Sequence, residues 1–260
     1  MYLHRNFIIT MVAVSAAALP ATGFSACDAR SGPKTAALVE LYTSEGCSSC
    51  PPADRQLSQM RQALDPAAEV VPLALHVGYW DYIGWKDPYA QEGFAERQSW
   101  LVHANRQRAV YTPQFFVGGA ELRSRQGGLR DQVRQLNASP ASAAIRVQAG
   151  ATTSGPLVLS AEARTPAAGP PAALYLAVTE SGLVSKVMRG ENGGATLAHD
   201  HVVRAWIGPI RLANGAARVE RQIALPSDWS RAQLDVVAFV QDENTGNVLQ
   251  ALLAHRCVGS

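Results

Sequence analysis

The stretch Val39-Glu40-Leu41-Tyr42-Thr43-Ser44-Glu45-Gly46-Cys47-Ser48-Ser49-Cys50-Pro51-Pro52-Ala53-Asp54 decides how the chain is read. An apolar run of strand character leads through a glycine turn into a Cys-x-x-Cys pair, placed where a helix begins. Pro51 and Pro52 fit that start, because N–H groups in a first helical turn have no intrahelical partner to lose. Cys47 at the helix mouth has its thiolate favoured by free backbone N–H groups and by the positive end of the helix dipole. Cys50 lies one turn further in, close enough to close a small disulfide ring. Glu45 and Asp54, near in sequence, act in the opposite direction and raise the Cys47 pKa.

Three chemistries share this spacing: a thiol–disulfide pair, half of a zinc site and an inert structural disulfide. A tetrahedral zinc site needs four ligands, usually as two such pairs. The sequence has no second pair, so the redox reading leads and no metal is assigned.

Towards the N-terminus, residues 1–26 have a basic start (His4, Arg5), an apolar run from Phe7 to Leu19 and a helix-ending Pro20 followed by small residues. That is the pattern of a signal peptide, and the run is too short for a membrane span. It implies a bacterial periplasmic or secreted protein, in which disulfides persist. Two fates for Cys27 compete. Phe24-Ser25-Ala26-Cys27 approaches a lipoprotein box, which would put a lipid anchor on Cys27. The preferred alternative pairs Cys27 with Cys257 and staples the two ends, worth roughly 5 kcal/mol in the chain-entropy model.

The formal net charge of +2 falls to +1 once Arg5 is removed with the leader. With no basic arm, nucleic acid is set aside as a partner. At 260 residues and 47% hydrophobic, two modest cores are the better expectation.

Residues 35–138 alternate strand and helix: a strand over 37–42, a helix over 53–64, a strand over 70–77, a helix over 94–109 and a strand opened by Thr112-Pro113. A Gly118-Gly119 hairpin and a closing helix over 128–136 follow. The loop from Gly78 to Pro88 concentrates Tyr79, Trp80, Tyr82 and Trp85. It is either a self-anchored loop or a wall beside the cysteines, with Trp80 the candidate contact. After Asn137-Ala138-Ser139-Pro140, short alternating runs with turn signals over residues 141–257 predict an antiparallel β-sandwich-like domain. There, Arg189-Gly190-Glu191-Asn192-Gly193-Gly194 and His199-Asp200-His201 read as a polar turn and the start of a strand.

Cys47-Ser48-Ser49-Cys50 after a first strand, Thr112-Pro113 before a third and this element order resemble the thioredoxin superfamily. More closely, residues 40–54, 80–87 and 110–119 resemble an uncharacterised exported thioredoxin-like bacterial family, a domain of unknown function. The resemblance implies an α/β thioredoxin-like fold and a cis peptide at Pro113, in a loop with Thr112 that faces the disulfide and holds the substrate. It also implies thiol–disulfide exchange with a protein thiol or disulfide partner, without a cofactor. Cys47 takes part in attack and Cys50 resolves the mixed disulfide. The alternative is a non-catalytic binding or assembly module on the same scaffold, with the cysteines a static disulfide or a metal-transfer pair.

Overall fold

In the computed structural model, which describes residues 25–123, 128–152 and 154–258, the apolar run before the cysteines becomes an interior strand of a large sheet. The leader read from residues 1–26 lies, as far as residue 24, outside the described residues. The chain order is β1 (Ser25–Arg30), β2 (Ala37–Thr43), α1 (Pro51–Ser58), α2 (Met60–Ala63), β3 (Val70–His76), a 3-10 turn (Gly78–Ile83), α3 (Glu92–Ala104), β4 (Gln114–Val117), β5 (Ala120–Glu121) and α4 (Leu129–Ala138). Strands then follow: β6 (Ala144–Ala151), β7 (Leu157–Arg164), β8 (Ala172–Glu180), β9 (Leu183–Lys186), β10 (Thr196–His199), β11 (Val202–Arg211), β12 (Ala216–Ile223), β13 (Leu234–Asp242) and β14 (Val248–Ala254).

The expected helix over 53–64 starts at Pro51 and is interrupted at Gln59. The expected helix over 94–109 stops at Ala104. There the Asn105 side-chain amide donates to Leu101 O and to Gly119 O, both at 2.8 Å, and Arg106 takes a positive φ. This side chain closes the helix end and ties it to the β4–β5 hairpin.

The boundary expected between residues 138 and 141 does not divide the sheet. Eight strands form one layer in the order β14-β13-β8-β11-β3-β2-β4-β5, so four strands of the second half continue the sheet of the first. β2 and β3 run parallel and β4 antiparallel to β2. The seam is β11 beside β3, where Val202 pairs with Ala74. The physical reason lies in β8 and β13, which are buried at all nine positions each. A sandwich strand with one wet face alternates; a strand covered on both faces does not. Leu174, Leu176 and Val178 of β8 face one core, while Ala173, Tyr175 and Ala177 face another. A second sheet, β1-β6-β7-β12, shares a core with one face of the first, so the N-terminal strand packs with the C-terminal half. Cys27 on β1 and Cys257 after β14 are joined as a disulfide, which leaves Cys27 no free sulfur for a lipid.

The other side of β2 carries a buried charge. Glu40, fully buried, accepts from Arg97 Nε of α3 at 2.7 Å, and Arg97 Nη2 donates to Gln241 Oε1 at 3.0 Å. The Arg97 guanidinium lies about 5 Å over the rings of Tyr175, Trp206 and Phe239. The Glu40 charge outweighs the effect of burial and holds the Arg97 pKa above its ordinary value. Removing one member of such a pair leaves a buried charge alone. Arg97→Met is therefore expected to lower stability by about 3–5 kcal/mol, measured by urea unfolding. A change under about 1 kcal/mol, within the range of an ordinary surface substitution, would contradict this account.

Candidate functional site

β2 ends at Thr43, and the chain turns through Ser44, Glu45 and Gly46 to reach Cys47 at the mouth of α1. Cys50 is the residue that caps the helix, and its carbonyl accepts from Asp54 N–H at 3.0 Å. The two sulfurs are bonded to each other. Gly46 is required by space: a Cβ there would stand 2.9 Å from Trp80 Cβ and 3.4 Å from the Ile83 side chain. The aromatic loop thus walls the cysteine turn. Trp80 Nε1 donates to Thr112 Oγ1 at 2.7 Å, which ties that wall to the loop of Thr112 and Pro113, whose connecting peptide is cis.

Both cysteines are fully buried, with 0% of either residue exposed. The cover comes from the segment between β9 and β10. Asn192 Nδ2 donates to the carbonyls of Glu45 (2.8 Å) and Cys47 (3.0 Å), and Glu191 Oε2 accepts from Ser48 N–H at 3.0 Å. Gly190, at positive φ, lets the segment approach Ile83 and Trp85. The expectation of a plain polar turn at 189–194 is therefore corrected: its side chains satisfy backbone groups of the cysteine turn.

Around the cysteine turn and the start of α1 the chain buries a cluster of ionisable groups: Glu45, Asp54, His76, Asp87 and His199. Glu45 is the hub. Its N–H donates to Asp87 Oδ2 (2.8 Å), its Oε2 accepts from Trp85 Nε1 (2.7 Å), and its Oε1 lies 3.1 Å from His199 Nε2. His199 Nδ1 is 4.0 Å from Asp54 Oδ2. His76 Nδ1 is 2.8 Å from Asp87 Oδ2, and the rings of His76, His199 and Tyr89 meet edge to face. Burial pushes the Asp54 carboxyl above its usual range. For the other pair, burial opposes ionisation but is outweighed, so Asp87 is lowered and His76 raised, each by its partner's charge.

His199 belongs to this cluster, whereas the expectation treated it with His201 as the start of a strand. His201 lies apart, in a small cleft with Asp235 and His255. Among the described residues no group of three or more His, Cys, Asp or Glu side chains is arranged to hold a metal ion. A cleft of about 850 Å³ lies elsewhere, between α3 and strands β8 and β11. Trp100, Tyr175 and Trp206 line it, and no cysteine does.

Comparison with known proteins gives the chain a family. A family model described as a protein of unknown function, DUF1223, matches residues 38–241. The chain belongs to DUF1223. The matched residues of this DUF1223 chain run from β2 to β13 and so include the cysteine turn, its cover and the buried cluster. No curated protein matches the chain. Among solved structures, a protein from Agrobacterium tumefaciens is similar at 23% identity and a TM-score of 0.60, over 85% of this chain and 94% of that one. HBP35 of Porphyromonas gingivalis is similar at 16% identity and a TM-score of 0.64, over 86% of this chain and 76% of that one. At these identities the likeness is one of fold. The two disulfides suit a compartment outside the reducing cytosol. No helix among the described residues is long and apolar enough to cross a membrane.

The His76–Asp87 pair makes a pH prediction. A raised histidine pKa gives stability that is present at acid pH and lost as pH rises through the folded-state value; the lowered Asp87 pKa gives stability lost as pH falls through its own. The stability difference between wild type and His76→Gln should therefore shrink as pH rises through the His76 titration, followed by urea midpoints. A difference that grows over that window would contradict the pairing.

Proposed function

We propose that this DUF1223 protein is a periplasmic or secreted thiol–disulfide exchange protein of thioredoxin-like arrangement, which trades the Cys47–Cys50 disulfide with a protein partner once the cover lifts. The observation that carries the reading is the Cys-x-x-Cys disulfide at the mouth of α1, bordered by the Trp80–Thr112 wall. In this reading the partner chain lies along Thr112 and Pro113. The partner's thiolate attacks Cys47, Cys50 leaves, and the second partner thiol then releases Cys47. A protein partner is supported by the apolar rim: Tyr79, Tyr82, Val110, Tyr111, Val184 and Met188 are large, exposed and carried on segments that border the site. No cofactor is needed for this exchange.

The complete burial of both cysteines favours a second reading, a binding or assembly module whose disulfide is static. Structural disulfides stay inert when nothing can reach them. The aromatic cleft of about 850 Å³ would then be the binding surface.

An insulin-reduction assay driven by dithiothreitol separates the two. The exchange reading expects turnover by wild type, none by Cys47→Ser, and a dithiothreitol-sensitive covalent adduct with the substrate for Cys50→Ala. Absence of both turnover and adduct, in wild type and equally in Asn192→Ala with its weakened cover, would leave the static module.

A further inference from the structure

Beside α3 the eight-stranded sheet is left partly open. Leu174, Leu176 and Val178 of β8 pack towards the second sheet, while on the other face Tyr175 of β8 and Trp206 of β11 share a core with Phe94 of α3. That face opens into the cleft of about 850 Å³, a size usual for small-molecule sites. Arg97 lines the cleft with only 8% of its surface exposed, its Nε and Nη2 bonded to Glu40 and Gln241. Among the described residues Nη1 has no hydrogen-bond partner, and neither do the indole N–H groups of Trp100 and Trp206, which line the same cleft. At the cysteine turn, by contrast, the indoles of Trp80 and Trp85 each donate at 2.7 Å. An enclosed indole N–H usually finds a partner, so donors left open around one cleft point to an occupant.

Charge decides what kind of occupant fits. Glu40 balances Arg97, and at the rim Arg211 Nε lies 3.1 Å from Glu243 Oε1. Glu96 is the one other charged group among the described residues that line the cleft. An anion would meet no unbalanced positive charge there. A cation would compete with the Arg97 guanidinium, which already lies 5.9 Å from the ring of Trp100 and 5.0 Å from those of Tyr175 and Trp206. The fitting ligand is therefore uncharged. Acceptors (Glu96, Glu243) and donors (Arg97, the indoles) are mixed around the aromatic floor, and a hydroxyl group both donates and accepts. A neutral sugar ring joins such hydroxyls to a flat C–H face that stacks on an indole. A polyproline segment also docks in aromatic grooves, but its backbone has no N–H to offer the two carboxylates.

We propose that the cleft beside α3 binds a short neutral oligosaccharide, with a sugar face against the indoles of Trp100 and Trp206 and its hydroxyls shared between Arg97 Nη1 and the carboxylates of Glu96 and Glu243. The site supplies the binding-module reading with a ligand class, and it stands equally if the disulfide exchanges, because no cysteine lines the cleft.

The five tryptophans give the test its own internal control. Nitrogen-15-labelled protein, its indole N–H signals assigned through the backbone, is titrated separately with cellotetraose, tetra-N-acetylchitotetraose, maltotetraose and decaproline. With at least one of the tetrasaccharides the Trp100 and Trp206 signals should shift saturably, with a Kd of about 1 mM or tighter, while those of Trp80 and Trp85 stay in place. Trp100→Ala should weaken that binding about tenfold or more. Glu96→Ala, at an exposed position of α3, should weaken it about threefold or more, which keeps the test open if the tryptophan variant does not fold. No saturable shift with any tetrasaccharide, a shift with decaproline alone, shifts confined to Trp80 and Trp85, or an unchanged Kd in the folded variants would overturn the proposal. The titration involves no thiol, so its failure and that of the insulin assay are separate outcomes.

Discussion

The carbonyl of Glu45 receives its hydrogen bond from one side chain, Asn192, 147 positions further along the chain, and the same amide joins Cys50 N–H on the carbonyl of Cys47. That contact makes the two halves of the sequence into one site. Without it, the turn between β2 and α1 would leave the Glu45 carbonyl without that donor and the Cys47 carbonyl with only the bond from Cys50 N–H. With it, the turn is held by residues from the second half of the chain. The shared sheet makes the contact possible, because β11 lies beside β3 and brings the β9–β10 hairpin across the end of β2.

Beneath that seal the chain concentrates charge where charge is expensive. Glu45, Asp54 and Asp87 are three buried carboxyl groups among two imidazoles, with no lysine or arginine among the described residues bonded to any of them. Two imidazoles cannot neutralise three carboxylates even when both are protonated, so the cluster favours holding a proton on a carboxyl group. Burial raises the Asp54 pKa, whereas Asp87 is held below its ordinary value by His76 and by the backbone N–H groups of Glu45 and Tyr89. On the other face of β2, Glu40 shows the ordinary solution, an arginine bonded to it directly.

Much of the first half could be read from local pattern. Ala37 to Tyr42 is apolar and short, Pro51-Pro52 fits a helix start, and Gly118-Gly119 between two short runs makes a hairpin; each is decided by the residues themselves. The succession strand, helix, strand, helix, strand, strand, helix over 35–138 is the succession in the structure. The second half was harder because its decisive contacts are remote. Nothing near Asn192 shows that its amide will meet the Glu45 carbonyl, and nothing near His199 shows that it will leave His201 and join Asp54. Ala173 to Val178 is counted with the alternating runs, yet it has no polar alternation, the pattern of a strand buried on both faces. The burial of Cys47 and Cys50 had no local signal, because their cover is supplied from beyond residue 189.

The account depends on the cover governing access to the disulfide, and the rate at which a small phosphine reduces Cys47–Cys50 in the folded protein tests this most directly. Each hydrogen bond from Asn192 contributes about 0.5–1.5 kcal/mol net, so removing both should open the site roughly 5- to 150-fold more often. The account predicts that folded wild type is reduced far more slowly than the denatured chain and that Asn192→Ala is faster by about that factor. Equal rates for wild type and Asn192→Ala, both near that of the denatured chain, would contradict it.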